Sequence, residues 1–138
     1  MAPTTYRSFV DALEALDITG VVRRYNSGPP AGAPAARDTP AQYVRYPSGD
    51  EAPIVFGEQL GWPTLRAELV VLVEPVGQST QPRNFDLTVD MMDNLLAALR
   101  AATCITVSKL RVTGVRRAID TVAGTDYWAV VASVEGNG

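Results

Sequence analysis

The order of the elements between Pro63 and Val134 constrains this chain more than any other feature. The alternating segment from Leu65 to Val73 predicts a β-strand, which a polar, turn-rich stretch connects to a long amphipathic helix. Two or three further strands then follow. The middle of the first strand, at Val70 and Leu72, is apolar on both sides. We therefore expect this strand to lie in the centre of a sheet whose two faces are covered.

The long helix is predicted from Asn84, acting as the N-cap, to Ala102. One apolar stripe has the spacing of a face packed on a sheet, and it comprises Phe85, Val89, Met92, Leu96 and Leu99. The polar side carries Asp86, Asp90 and Asp93, whose helical spacing favours a solvated or ion-paired face over a cation site. A second apolar edge lies beyond these acids and comprises Leu87, Met91 and Ala98. Since a helix on one sheet needs a single stripe, the second edge predicts a further partner.

The remaining elements are shorter and complete an α+β pattern. A first helix is predicted at 4–17, short strands at 20–25, 41–46 and 53–56, and later strands at 105–112, 115–122 and 127–134. The Pro/Ala/Gly-rich segment 26–40 predicts an exposed loop, which serves either as a linker or as an arm that orders against a neighbour. We expect a single domain over residues 1–138.

The residues that carry most enzyme chemistry are missing. The 138 residues include no histidine and one cysteine, which excludes Ser-His-Asp sites, Cys-His sites and an internal disulfide. Cys104 lies between a helix end and an apolar strand, where a buried structural thiol is expected. The glycines near residue 30 alternate with prolines and form no phosphate loop. The sequence predicts no enzyme, no cofactor and no metal site, although catalysis by carboxylates alone stays open.

The apolar runs and the charge indicate where such a chain works. The longest strongly apolar run, Leu69 to Val73, is too short to cross a bilayer, and the segment Met1 to Thr5 lacks the features of a secretory signal. We expect synthesis in a reducing cytoplasm and no membrane partner. The net charge of −3 argues against capture of nucleic acid by the whole surface.

A local nucleic-acid site is the alternative use of the aromatic residues. A stacking surface would combine three tyrosines with three nearby arginines, namely Tyr25, Tyr43 and Tyr46 with Arg23, Arg24 and Arg45. Tyrosines on half-exposed strands are common without any ligand, and this ordinary interpretation is favoured.

The element order resembles a known family. A helix and short strands precede the strand Thr-Leu-Arg-Ala-Glu-Leu-Val-Val-Leu-Val-Glu at 64–74, and a polar loop, a long acidic helix and a closing hairpin follow it. This pattern is similar to the tail terminator proteins of long-tailed bacteriophages, the family of the lambda minor tail protein U. The likeness covers residues 4–17 and 40–134. Head–tail joining proteins and other neck proteins share much of this element order and strand pattern. The loop at 26–40 is longer than the resemblance implies.

The resemblance implies a mixed, mostly antiparallel β-sheet packed by two α-helices. It also implies a structural virion protein that forms a ring, most simply a hexamer, which ends the tail tube and joins the tail to the head connector. The implied partners are further copies of the chain, the tail tube protein and a connector or stopper protein, with DNA only passing through the lumen. Its location would be the tail or neck of the virion, after assembly in the host cytoplasm.

Three groups of residues are then expected to serve the ring. The second apolar edge Leu87, Met91 and Ala98 would bury against the adjacent subunit, and the acids Asp86, Asp90 and Asp93 would face its Arg116 and Arg117. The lumen would carry the carboxylates of Asp50, Glu51 and Glu58, because arginines there would hold the phosphates of a sliding duplex. In the competing interpretation, these three acids only keep a surface loop soluble. A small cytoplasmic ligand- or nucleic-acid-binding α+β domain is the alternative from a different class.

Overall fold

One long central strand and one long hairpin organise the molecule. The computed structural model describes residues 5–49, 51–56, 63–77, 81–102 and 110–137. In chain order the elements are α1 (Tyr6–Glu14), β1 (Arg23–Arg24), β2 (Ala41–Arg45), β3 (Ile54–Val55), β4 (Thr64–Pro75), α2 (Gln81–Ala102), β5 (Arg111–Val122) and β6 (Thr125–Asn137). A short 3₁₀ turn, Ala36–Asp38, interrupts the loop before β2.

Six strands among the described residues form one mixed sheet in the order β1-β2-β4-β6-β5, with β3 paired to the first residues of β4. Only β1 and β2 are parallel, and every other pairing is antiparallel. The α+β class with a mostly antiparallel sheet and two helices is therefore confirmed. β4 lies in the middle, as its two apolar faces predict, with β2 on one side and β6 on the other.

Alternate residues of β4 supply two separate cores. Leu69 and Val71 face the helices and pack with Phe9 and Leu13 of α1 and with Leu95 of α2. All five side chains are at most 2% exposed, and burying each one stabilises the fold by about 1.5–3 kcal/mol. The apolar stripe of α1 fits this packing, and its capping box, in which Thr5 and Ser8 exchange hydrogen bonds, fixes the start of the helix.

The opposite face of the sheet has a second core, to which no described helix contributes. Val70 and Leu72 of β4 pack there with Tyr43 and Tyr127, and all four are at most 1% exposed. The loop 26–40 is mostly exposed, as predicted, but it is tied to this face because the Tyr127 hydroxyl donates a 2.6 Å hydrogen bond to its Pro34 carbonyl. The loop is therefore more than a free linker.

The hairpin after α2 differs from the sequence prediction in one respect. The hairpin-like turn that the sequence predicts over residues 123–126 is made by Ala123 and Gly124 alone, with φ of 49° and 84°. However, β5 continues unbroken through Val112 and Val115, where two strands were expected, because a bulge at Thr113 absorbs the change in pattern. The predicted strand at 105–112 falls mainly outside the described residues.

Candidate subunit interface

Polar contacts at its first turns fix the rotation of α2 on the sheet. The helix begins at Gln81, so Asn84 lies inside it and is not the N-cap that the sequence suggests. The Asn84 side chain is buried, donates to Glu74 Oε1 at 2.7 Å and accepts from Arg117 Nη2 at 2.6 Å. The Arg117 guanidinium also lies 4.0 Å from the centre of the Trp128 ring. These contacts turn the Asn84 side of the helix toward β5 and β6.

The second apolar edge of α2 packs inside the chain, which corrects the expectation that it lacks an intrachain partner. Met91 is 5% exposed and belongs to the helix-side core, with Leu87 and Ala98 half-buried against that core. Asn94 shares this side of the helix and donates to the Thr19 carbonyl at 3.0 Å. The buried row Asn84, Thr88, Met91, Leu95 and Leu99 follows helical spacing. This edge therefore has its partner inside the chain, and a contact of the half-buried Leu87 and Ala98 with a second subunit stays a prediction.

The first apolar stripe is the one that carries the exposed residues. Phe85 is 60% exposed and Val89 is 38% exposed, Leu96 is half-buried, and Met92 is half-buried and packs against the helix-side core. We call these four residues the outer stripe. Leu99, predicted in the same stripe, is buried in the core. Ile119 of β5, on the same side of the sheet as α2, is 53% exposed and adds another large apolar side chain to the surface of that side.

The strand next to the outer stripe is the last of its sheet. β5 spans twelve residues and pairs with β6 on one side, and no described strand pairs with its other side. An uncovered strand edge presents backbone donors and acceptors to any chain that approaches it. The combination of an apolar helix stripe, Ile119 and this edge is the best-defined candidate subunit interface in the described parts of the chain.

The acids of α2 are exposed, as predicted. Asp86, Asp90 and Asp93 all face solvent, and none forms an ion pair with a described residue. Their predicted partners already have contacts within the chain: Arg117 binds Asn84, and Arg116 donates to Glu68 Oε2 at 3.0 Å. Moreover, consecutive strand residues point to opposite faces, so Arg116 lies on the side away from α2. Contact with a neighbouring subunit stays a prediction.

A charged network crosses the face of the sheet opposite the helices. Arg45 of β2 donates to Glu68 Oε1 at 2.8 Å and to Asp120 Oδ1 of β5 at 2.7 Å, and the Tyr43 hydroxyl also bonds to Asp120. In a flat sheet β2 and β5 would lie about 14 Å apart. Direct contact between their side chains therefore means that the sheet curls toward this face. Arg116 of β5 closes the network on Glu68.

Burial and hydrogen bonding set the protonation of this network. Burial alone raises the pKa of Glu68, but hydrogen bonds from Ser48, Arg45 and Arg116 outweigh it and hold that pKa below its usual value. Burial and the hydrogen bond to Asp120 raise the pKa of Tyr43, so its phenol stays protonated. The sequence signal for this network was Glu68, an acid two residues before the part of the strand, Val70 and Leu72, that is predicted to be covered on both faces.

An open groove of about 700 Å³ lies between α1, the turn after β1 and the outer side of β2. Tyr6, Val10 and Tyr46 form its apolar walls, and the Tyr46 ring, 70% exposed, stacks on Tyr6 at 6.2 Å. The Tyr6 hydroxyl donates to the Arg66 carbonyl at 2.7 Å, and burial raises its pKa to about 12. Arg7 lies at the rim with its side chain 79% exposed. Sequence analysis did not identify this groove.

The other predicted site residues are only partly described. Glu51 is exposed near a cavity of about 70 Å³ that Arg66, Glu68 and Glu135 also line, and its assignment to a lumen stays a prediction. Asp50 and Glu58, the other two lumen candidates, lie outside the described residues, as does Cys104.

The tyrosines do not form one stacking surface. Tyr43 is 1% exposed in the core, Tyr25 lies under the Arg23 guanidinium at 5.0 Å, and Tyr46 borders the groove. Within the described segments, no cluster of three or more carboxylates or thiols could hold a metal ion. No described helix combines the length and hydropathy of a membrane span. No protein-family model matches the chain, and no curated protein matches it.

Proposed function

We propose that the chain is a structural ring protein of a long-tailed phage, which terminates the tail tube and joins it to the head connector. In this role the protein works by association and not by catalysis. Copies of the chain form the ring, most simply a hexamer, and the tail tube protein and a connector or stopper protein contact its two ends. DNA passes through the lumen, and the protein resides in the tail or neck of the virion.

The outer stripe of α2 beside the uncovered edge of β5 is the observation that carries this proposal. Phe85, Val89 and Ile119 expose large apolar side chains on one side of a single small domain. Grouped exposure of this kind marks association surfaces in soluble proteins. Support also comes from the element order, since the mixed sheet with a central β4, a long α2 and a closing hairpin has the architecture that the resemblance implies.

Tail assembly with and without the chain tests the proposal. Tail tube protein polymerised without it should give tubes of uncontrolled length, and adding it should cap the tubes, stop elongation and leave a ring visible by electron microscopy at one end. A ring bound only to the portal-side connector would assign the protein to another neck position. Tubes whose growth is indifferent to the chain, together with no binding to connector proteins, would contradict the proposal.

A ligand-binding domain is the second candidate, and the groove favours it. A volume of about 700 Å³ is in the range of small-molecule sites. A thermal-shift screen of metabolites and oligonucleotides, with Tyr46→Glu as the matched variant, tests this candidate. A compound that stabilises the native chain and not the variant would support it. No stabilisation at millimolar concentrations would remove it.

A further inference from the structure

We infer that the groove of one subunit receives the outer stripe of the next subunit, so that the two surfaces form a single head-to-tail interface. This inference rests on the proposed function only in requiring that copies of the chain associate. It adds what the ring proposal leaves open, namely the surface that receives α2.

The two surfaces lie on the same side of the sheet at opposite edges. Val44 and α1, which border the groove, belong to the helix-side core and flank β2, near one end of the strand order. The outer stripe of α2 and Ile119 lie on that same side beside β5, at the other end. Because the sheet curls toward the face opposite the helices, the helices lie on its convex side. When two copies pack side by side through their helix layers, the stripe of one copy can meet the groove of the other.

The groove is chemically better suited to the apolar side chains of the outer stripe than to a polar ligand. Two of its polar side chains are already engaged: the Tyr6 hydroxyl donates to the Arg66 carbonyl, and the Glu14 carboxylate accepts the Ser27 N–H at 3.1 Å. Small-molecule sites depend on convergent polar groups that are free to bind. What remains open is the apolar surface of Val10 and Tyr46, which matches Phe85 and Val89 of the stripe.

Charge at the rim is complementary. The acids Asp86 and Asp93 adjoin the outer stripe and have no ion pair with a described residue. Arg7 at the groove rim has its side chain 79% exposed, and its nearest carboxylate, Asp11, is 3.9 Å away, which is a weak contact. A neighbouring acid can therefore bind Arg7 without displacing a strong pair, and such rim charges orient two copies as they approach.

Because the groove and the outer stripe are different surfaces, their contact determines the symmetry of the oligomer. An interface between different patches of identical subunits repeats from copy to copy and closes into a ring when the rotation per subunit allows it. A two-fold dimer would instead place stripe against stripe. The groove and stripe thus give the kind of interface that a ring protein needs.

Mixing two single variants tests the pairing directly. Phe85→Glu disrupts the outer stripe and leaves the groove intact. Tyr46→Glu disrupts a wall of the groove and leaves the outer stripe intact. Each variant alone should associate at least about tenfold more weakly than the native chain. Mixed one to one, the two should form a dimer through their remaining intact pair, measured by light scattering. Val76→Glu, at an exposed residue that belongs neither to the outer stripe nor to the groove lining, is the control that should assemble normally.

Folding of each variant is checked by circular dichroism, and Arg7→Glu is a second groove variant if Tyr46→Glu unfolds. A mixture that stays monomeric while the native chain forms rings would overturn the inference and leave the ring proposal standing. A native chain that caps tails without ever associating would also overturn it. A small molecule that binds the groove, while Tyr46→Glu assembles normally, would assign the groove to a ligand and overturn it as well.

Discussion

The two apolar edges of α2 look alike in sequence and have opposite fates in the fold. The inner edge, Leu87, Met91 and Ala98, packs on the core, whereas Phe85 and Val89 of the outer stripe face solvent. Both edges have helical spacing and similar apolar content. The comparison teaches that periodicity locates apolar stripes but does not choose which one a sheet will cover.

Polar side chains make the choice here. Asn84 joins Glu74 to Arg117, and Asn94 binds the Thr19 carbonyl, so these two amides hold the helix from both sides. A helix rotated to bury the outer stripe would lose these hydrogen bonds, each of which contributes about 0.5–1.5 kcal/mol to the free energy of unfolding. The inner edge is therefore buried because its polar neighbours are satisfied there.

Met91→Glu should have the largest effect of any change on α2. It places a carboxylate where the side chain is 5% exposed, so we expect a loss of at least about 3–5 kcal/mol in the free energy of unfolding. Urea denaturation followed by circular dichroism measures it. A folded variant of native stability would show that the inner edge is not core.

Asn84→Ala should have the next largest effect. It removes the acceptor of Arg117 and the donor to Glu74 in a buried position, and we expect a loss of about 2 kcal/mol in the free energy of unfolding. Thr121→Ala, which loses only an exposed hydrogen bond to Asp126, serves as the control and should change stability by about 0.5 kcal/mol or less. Equal losses in both variants would contradict a special role for Asn84.

Acidic pH should lower the free energy of unfolding by the same amount whether or not the outer stripe is intact. The folded-state pKa of Glu68 is lowered, so its contribution is present above the unfolded pKa of about 4.5 and is lost as the pH falls through the folded value. Unfolding free energies measured from pH 7 down to pH 3 should decline in the native chain and in Phe85→Glu alike. In Glu68→Gln the free energy of unfolding should fall less below pH 4.5 than it does in the native chain. An equal fall in both proteins would contradict the role of Glu68.

Phe85→Glu should change the stability of the isolated subunit least. The side chain is 60% exposed, so the expected change is within about 0.5 kcal/mol, in contrast to Met91→Glu six residues away on the same helix. Denaturation at a concentration low enough to keep the protein monomeric measures it. A loss comparable with that of Met91→Glu would mean that the outer stripe also belongs to the core.

Much of the fold could be predicted because it depends on local pattern. The central position of β4 followed from apolar residues on both its faces, and the hairpin turn followed from Ala123-Gly124 between two strand patterns. The rotation of α2 could not be predicted, since it depends on Asn84 meeting Glu74 and Arg117, which are distant in sequence. Propensity alone made Asn84 an N-cap.

The candidate site escaped prediction for a related reason. The groove joins α1 to the outer side of β2 through tertiary packing, and no sequence pattern places Tyr6 against Tyr46. Ile119 fits the alternation of a strand, and only its position on the last strand of the sheet leaves it exposed. Sequence analysis did find that α2 carries more apolar surface than one sheet requires, and that excess is the outer stripe.

Hydroxyl-radical footprinting of the native chain tests most directly the claim that the outer stripe is an interface. The oxidation rate of Phe85, 60% exposed in the subunit, is compared between dilute protein and assembled rings, with the fully buried Phe9 as the internal reference. We predict that Phe85 becomes strongly protected on assembly while Phe9 stays unreactive in both states. Rings in which Phe85 is oxidised as fast as in the free subunit would contradict the account.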